Sequence, residues 1–178
     1  GHSMGGTLVL NFLIQKRQDF KGAVISAPWL KLMKPPHPGI RKMGKALNKV
    51  FPRLTLRTGI DSAQLTSDVR QQEESDQDEL MHGKISLRLF NEIDRVSAEV
   101  LKESDQIDIP VFLAHGEDDE LTDSGVTRQF AQAIGRNALF YSVKGARHEI
   151  HREPGADELF DQLVQWMEDN IKGVAHDN

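Results

Sequence analysis

Apolar and polar positions along this chain fall into blocks whose periodicity switches between that of helices and that of strands. Residues 7–14 are almost continuously apolar and run into Gln15, Lys16 and Arg17, the pattern of a buried helix with cations near its C-terminus. Residues 23–26, short and partly β-branched between Gly22 and Pro28, predict a buried strand. Residues 111–114 predict a second, running into His115 and Gly116, and residues 138–143 a third. Between the last two, Val126, Phe130, Ala133 and Ile134 recur at helical spacing within residues 124–135, with Asp123 placed to cap them. A final helix follows Pro154, a residue suited to a first helical turn. It presents Leu159, Phe160, Leu163, Val164, Trp166, Met167 and Ile171 on a broad apolar face. Strand alternating with helix is the signature of a parallel sheet with helical crossovers, an α/β fold.

Residues 31–106 interrupt the alternation. No strand is read in them, and they are expected to be helices and loops inserted between the first two strands. Ile40, Met43, Leu47, Val50, Phe51 and Leu54 share one face of a helix, and Arg41, Lys42, Lys45 and Lys49 lie largely away from it. Such a helix can cover a site with its apolar face, or lie on an anionic bilayer with its basic one. The two uses are compatible. The expected division is a core segment 1–30, a helical insert 31–106, a second core segment 107–172 and a tail 173–178 that frays.

Charge sharpens this division. Eight basic residues and no acidic ones lie between Lys31 and Arg57, whereas seven acidic residues and one basic, Arg70, lie between Asp61 and Glu79. The acidic stretch reads as a solvated face or loop, with the basic segment an available partner. The whole chain, 178 residues with net charge −5, lacks the clustered cations of a general nucleic-acid binder. It has no cysteine, so neither a disulfide framework nor a thiolate metal site can form. No apolar run approaches the roughly 18 residues of a membrane span, and mean hydropathy is −0.47.

Candidate chemistry begins at the first residues. Gly1-His2-Ser3-Met4-Gly5 is the G-x-S-x-G pattern of a nucleophile elbow, a tight strand-to-helix turn that lifts a serine above a sheet. Small flanking residues are expected where neighbouring backbone passes too close for a Cβ. The Met4 N–H, at a helix N-terminus, is placed to donate to a developing oxyanion. Serine needs a base to take its proton, and that base needs a carboxylate to orient it. HGEDDELTDSG puts Asp118 and Asp119 just beyond one strand, and GARHEIH puts His148 just beyond the next. Loops at the C-terminal ends of parallel strands are where such sheets host sites. His148 and His151 are one residue short of the H-E-x-x-H metal spacing, so no metal is assigned.

The pieces GHSMGG, SAPWL, HGKIS at residues 82–86, HGEDD and GARHEIHREP together resemble the monoacylglycerol lipase and lysophospholipase group of the α/β-hydrolase superfamily, grouped with serine aminopeptidase-like hydrolases. They span nearly the whole chain. The resemblance implies Ser3 as nucleophile, Asp119 as acid, His148 as base and a cap, the insert, over an acyl-binding tunnel. It implies a single-chain lipid ester as substrate and no cofactor. Glu79 stands where relatives commonly carry proline, and Arg152 where asparagine is usual.

The chain opens at the turn that a preceding strand should support. It is therefore expected to be the C-terminal part of a longer hydrolase. By the resemblance, the absent part would carry the central strands and a His-Gly loop giving a second oxyanion N–H, whose loss costs roughly 100 to 1,000-fold in rate. The polypeptide is expected to be poorly active alone, and its parent to be cytoplasmic with peripheral membrane contact through the cap. The alternatives are a proline-type peptidase or other small-ester hydrolase, and a catalytically silent binding protein on the same fold.

Overall fold

A three-stranded parallel sheet in the order β1-β4-β5 organises the chain. The computed structural model describes residues 1–16 and 20–170; Arg17, Ile171 and the tail 173–178 lie outside them. The sheet consists of β1 (Ala23–Ser26), β4 (Val111–Gly116) and β5 (Ala138–Val143). Its register pairs Ala23 with Val111 and Val111 with Ala138. β4 is central and wholly buried, as a strand covered on both faces must be.

Side chains alternate across the sheet and build two cores. On one face Ile25, Val111 and Leu113 meet Leu10 and Leu13 of α1 (Met4–Gln15), Val96 and Val100 of α5 (Leu87–Val100) and Phe130 of α6 (Ser124–Ile134). On the other, Phe112 and Ala114 meet Ala146, Ile150, and Leu159 and Trp166 of α7 (Ala156–Asn170). Asp123 caps α6 by accepting from the Val126 N–H, as its position predicts.

The expected apolar faces are only partly covered. Leu8 and Phe12 of α1 and Phe160, Val164 and Met167 of α7 are exposed, so the burial expected for those faces narrows to Leu10, Leu13, Leu159 and Trp166. Pro154 lies in a turn with Gly155 before α7 rather than in its first turn.

The segment between β1 and β4 differs from expectation in one respect. It contains α2 (Pro38–Val50), α3 (Ser62–Leu65) and α4 (Val69–Gln77), but also an antiparallel pair, β2 (Thr55–Arg57) with β3 (Lys84–Ser86). Three-residue strands carry too little alternation to be read locally. α2 ends at Val50, so Phe51 and Leu54 lie beyond its helical face. Of the apolar residues assigned to that face, Ile40, Met43, Val50 and Phe51 are more than half exposed. The acidic stretch does not neutralise the basic one: Lys31, Lys34 and Arg41 pair with Asp123, Glu120 and Asp94. Asp61 and Asp68 instead cap α3 and α4.

Candidate active site

Ser3 sits between a bridge of His2 to Ser26 and the first turn of α1. Its φ of 51° and ψ of −123° are rare for a residue with a Cβ and cost on the order of 1–3 kcal/mol. Hydrogen bonds hold it there: Ser3 N–H donates to Ser26 O at 2.9 Å, and Trp29 N–H donates to Ser3 O at 3.0 Å. A Cβ on residue 1 would meet Gly5 O at 2.7 Å, and one on residue 6 would meet Ile25 at 3.1 Å. Nothing lies within 4 Å of that position at Gly5. The close approach expected at residues 1 and 5 therefore falls at 1 and 6. Met4 opens the helix, so its N–H has no intrahelical acceptor.

Asp119 and His148 arrive from the ends of β4 and β5. Gly116 lets the two loops lie together, because a Cβ there would collide with the carbonyl oxygens of Ala146 and Arg147. Asp118 N–H then donates to Ala146 O at 2.9 Å. His148 Nδ1 lies 2.7 Å from Asp119 Oδ2, and since a carboxylate only accepts, the ring nitrogen carries the hydrogen. Asp118 points no carboxylate into this arrangement and is exposed, whereas Asp119 is buried. The acid loop is also tied to the start of the insert, Met33 N–H donating to Leu121 O and Asp123 N–H to Lys31 O.

Asp119 accepts five hydrogen bonds. Leu121 and Thr122 N–H reach Oδ1, while Thr122 Oγ1, His148 Nδ1 and His115 Nε2 reach Oδ2. Burial, the largest influence, pushes its pKa up. The bonds from His115 and His148, the His148 charge and the Thr122 N–H outweigh it and hold the carboxyl well below its usual range. His115, absent from the sequence-derived site, is fully buried and its Nδ1 lies 2.9 Å from Thr127 Oγ1. Its only sequence signal is its place in HGEDD, four residues before Asp119.

His2 packs against the site from the elbow, its ring centroid 4.8 Å from that of His148 and 5.4 Å from that of His151. Burial first, and then the neighbouring His148 and His151, push its pKa down to about 3. Its Nδ1 lies 3.1 Å from Ser26 Oγ.

Ser3 and His148 open into a cavity of about 420 Å³. Its walls are mainly apolar, including Trp29, Leu32, Ile40, Leu56, Leu87 and Phe90. Of α2, it is Ile40, Arg41 and Gly44 that face this space. Among the described residues no group of three or more His, Asp or Glu side chains is arranged to hold a metal ion.

One side of the insert is fastened to the loop that carries His148. Arg147 donates to the carbonyls of Ala63 and Thr66, and Glu149 N–H to Leu65 O. Glu153 accepts from Ser67 N–H and Oγ. Arg152 donates to Gln71 Oε1, Gln71 O and Ser75 Oγ of α4 and pairs with Glu149 and Glu74. Sequence reading singled out Arg152 as unusual without finding this use of it.

A family profile described as "Serine aminopeptidase, S33" matches residues 1–155. The structure resembles a monoacylglycerol lipase of Paleococcus ferrophilus with a TM-score of 0.89 and 26% identity, covering 96% of this chain and 67% of that one. It resembles a soluble variant of the Saccharomyces cerevisiae monoglyceride lipase, solved with a substrate analog, at 0.82 and 26%, covering 96% and 64%. Phospholipase YtpA of Bacillus subtilis is 27% identical over 165 residues, which are 90% of this chain and 63% of YtpA. Across the curated relatives it matches, the chain spans 19% to 63% of their length. The elbow, the two strand-end loops and the matched profile agree: the chain belongs to the serine aminopeptidase S33 family of α/β-hydrolases.

Proposed function

We propose that this chain carries the acyl-transfer machinery of a serine hydrolase that cleaves carboxylic esters of single-chain lipids, monoacylglycerol or lysophospholipid. The observation that carries the reading is that Ser3 and His148 line one apolar cavity while Asp119 holds His148 from behind at 2.7 Å. Ser3 Oγ attacks the ester carbonyl as His148 takes its proton, and the Met4 N–H donates to the oxyanion. Asp119 fixes the tautomer of His148 and supports the imidazolium, as an orienting acid does. His148 then gives the proton to the departing alcohol, leaving an acyl ester on Ser3. Water, activated by His148, hydrolyses that ester and releases the fatty acid. The sequence of steps needs neither metal nor cofactor.

Residues 31–106 serve in this reading as the cap of the cavity, rooted in the core through α5. The matched names, monoacylglycerol lipase and phospholipase, and the apolar wall favour a lipid acyl chain over an aminoacyl group. The exposed Met43, Val50 and Phe51 beside Lys42, Lys45 and Lys49 suit contact of a cytoplasmic enzyme with an anionic lipid surface. No helix among the described residues is long and apolar enough to cross a membrane.

The test uses the full-length polypeptide. Ser3→Ala abolishes labelling by a fluorophosphonate and hydrolysis of glyceryl esters; labelling that persists in the variant removes Ser3 from the mechanism. Preference for aminoacyl amides over long-chain glyceryl esters would replace the lipase reading with a peptidase one. For the surface contact, Val50→Asp with Phe51→Asp lowers hydrolysis of monoacylglycerol in anionic vesicles and spares short soluble esters. Equal loss on both substrates would reject it.

A further inference from the structure

His115 has no part in the mechanism above, yet it shares an oxygen with the catalytic base. We propose that His115 is a positioning residue: it donates its Nε2–H to Asp119 Oδ2, the atom that also holds His148, and thereby sets both the orientation of the acid and the basicity of His148. The inference rests on the Ser3–His148–Asp119 reading.

The geometry is specific. His115 Nε2 stands 2.9 Å from Asp119 Oδ2 and His148 Nδ1 2.7 Å from the same atom. An ionised carboxylate only accepts, so both imidazoles must present a hydrogen to it. For neutral His115 this leaves Nδ1 as an acceptor, and Thr127 Oγ1, 2.9 Å away, can supply the hydrogen. Thr127 on α6 thus selects the tautomer of His115, and His115 in turn anchors the acid. With its side chain fully buried, His115 exposes neither nitrogen to bulk water.

The chemical consequence follows from charge division. A carboxylate oxygen whose negative charge is shared between two N–H donors supports an imidazolium less strongly than one with a single donor. Removing the His115 bond concentrates that charge on His148, and the proton-bound form of His148 is favoured. Among the described residues no other charged side chain is hydrogen-bonded to the pair. His148 faces Asp119, Thr122 Oγ1 at 3.4 Å and the ring of His2, behind which lies His151. His115 faces Asp119, Thr122 and Thr127. Glu149, beside His148 in the chain, is paired with Arg152, and Arg147 is spent on the carbonyls of Ala63 and Thr66.

Two amide variants of the full-length polypeptide separate this role from packing. In His115→Gln the amide nitrogen reaches the place of Nε2 and can restore the bond to Asp119. In His115→Asn it reaches only the place of Nδ1, keeping Thr127 and losing Asp119. The expected result for His115→Asn is an acid limb of kcat/KM moved up by about half a pH unit and a kcat lowered about tenfold, with KM unchanged. His115→Gln returns the acid limb to its original place. An unmoved limb in His115→Asn, or the same shift in both variants, overturns the proposal. A readout on the wild-type protein needs neither variant to fold: in ¹⁵N-histidine spectra, phosphonylation of Ser3 moves the Nε2–H signal of His115 together with the Nδ1–H signal of His148. Movement of the His148 signal alone overturns it. If Ser3→Ala still labels, the hydrolase reading itself has failed; if labelling depends on Ser3 and neither limb nor signal moves, only the role of His115 has.

Discussion

His148 Nδ1 and Asp119 Oδ2 meet at 2.7 Å across 29 residues of chain, and the absence of a side chain at Gly116 lets their loops pack. Gly116→Ala drives a Cβ into the backbone of Ala146 and Arg147. It is expected to lower kcat/KM about 100-fold or more, since a shift of about 1 Å at a catalytic group costs that much. Stability should fall by about 2 kcal/mol from overpacking. Ester hydrolysis and urea denaturation measure the two effects, and a fully active variant would show that the loops need no such contact.

The two aspartates of HGEDD should behave differently. Asp119→Asn presents an amide to His148 where a carboxylate fixed its tautomer, and kcat should drop by about 10⁴. Asp118 is exposed and bonds the histidine loop through its backbone N–H, which the amide variant keeps, so Asp118→Asn should stay within about twofold of wild type. Steady-state hydrolysis ranks the pair; the reverse order would reassign the acid.

Arg152 joins α4 to the loop of His148 through bonds to Gln71 and Ser75. Arg152→Ala leaves those acceptors without their donor and should cost about 2–3 kcal/mol in urea denaturation. Hydrogen exchange should rise across residues 63–77 before it rises in β4. Arg152→Lys should recover little, because an ammonium cannot reproduce the planar fork of donors.

His2 makes stability depend on pH. Burial holds its folded pKa near 3, against about 6.5 in an unfolded chain. Between those values the unfolded chain binds the extra proton, so stability is full above about pH 6.5 and declines as the pH falls toward 3. His2→Gln should flatten the decline in Tm between pH 6.5 and 4 measured by calorimetry. An unchanged slope would mean that His2 stays protonated in the folded protein.

Much of the fold could be read directly. β1 and β5 occupy the residues their apolar runs predict, because short runs rich in β-branched and aromatic residues stand out against the Gly- and Pro-marked turns around them, although of these residues only Ile25 is fully buried. The cap of α6 by Asp123 is equally local. The short antiparallel pair β2–β3 was not legible: three residues give no period, and their partners lie 27 or more positions apart. For the site, the elbow pattern and the strand-end placement of Asp119 and His148 could be read one segment at a time. His115 could not, since nothing in a run of HGEDD says that the strand's last turn folds its ring back onto the acid.

The sequence by itself determined which residues are apolar in which rhythm, and hence the helices, the long strands and the stock of chemically capable side chains. Only the tertiary structure decided that Asp119 would take two imidazoles on one oxygen, that Arg152 would fasten the insert to the histidine loop, and that Leu8 and Phe12 would stay exposed. The physical reason is range. Periodicity reports on neighbours a few residues apart, whereas these contacts are set by how closely separate loops can approach, and at Gly116 that distance turns on a single missing methyl group.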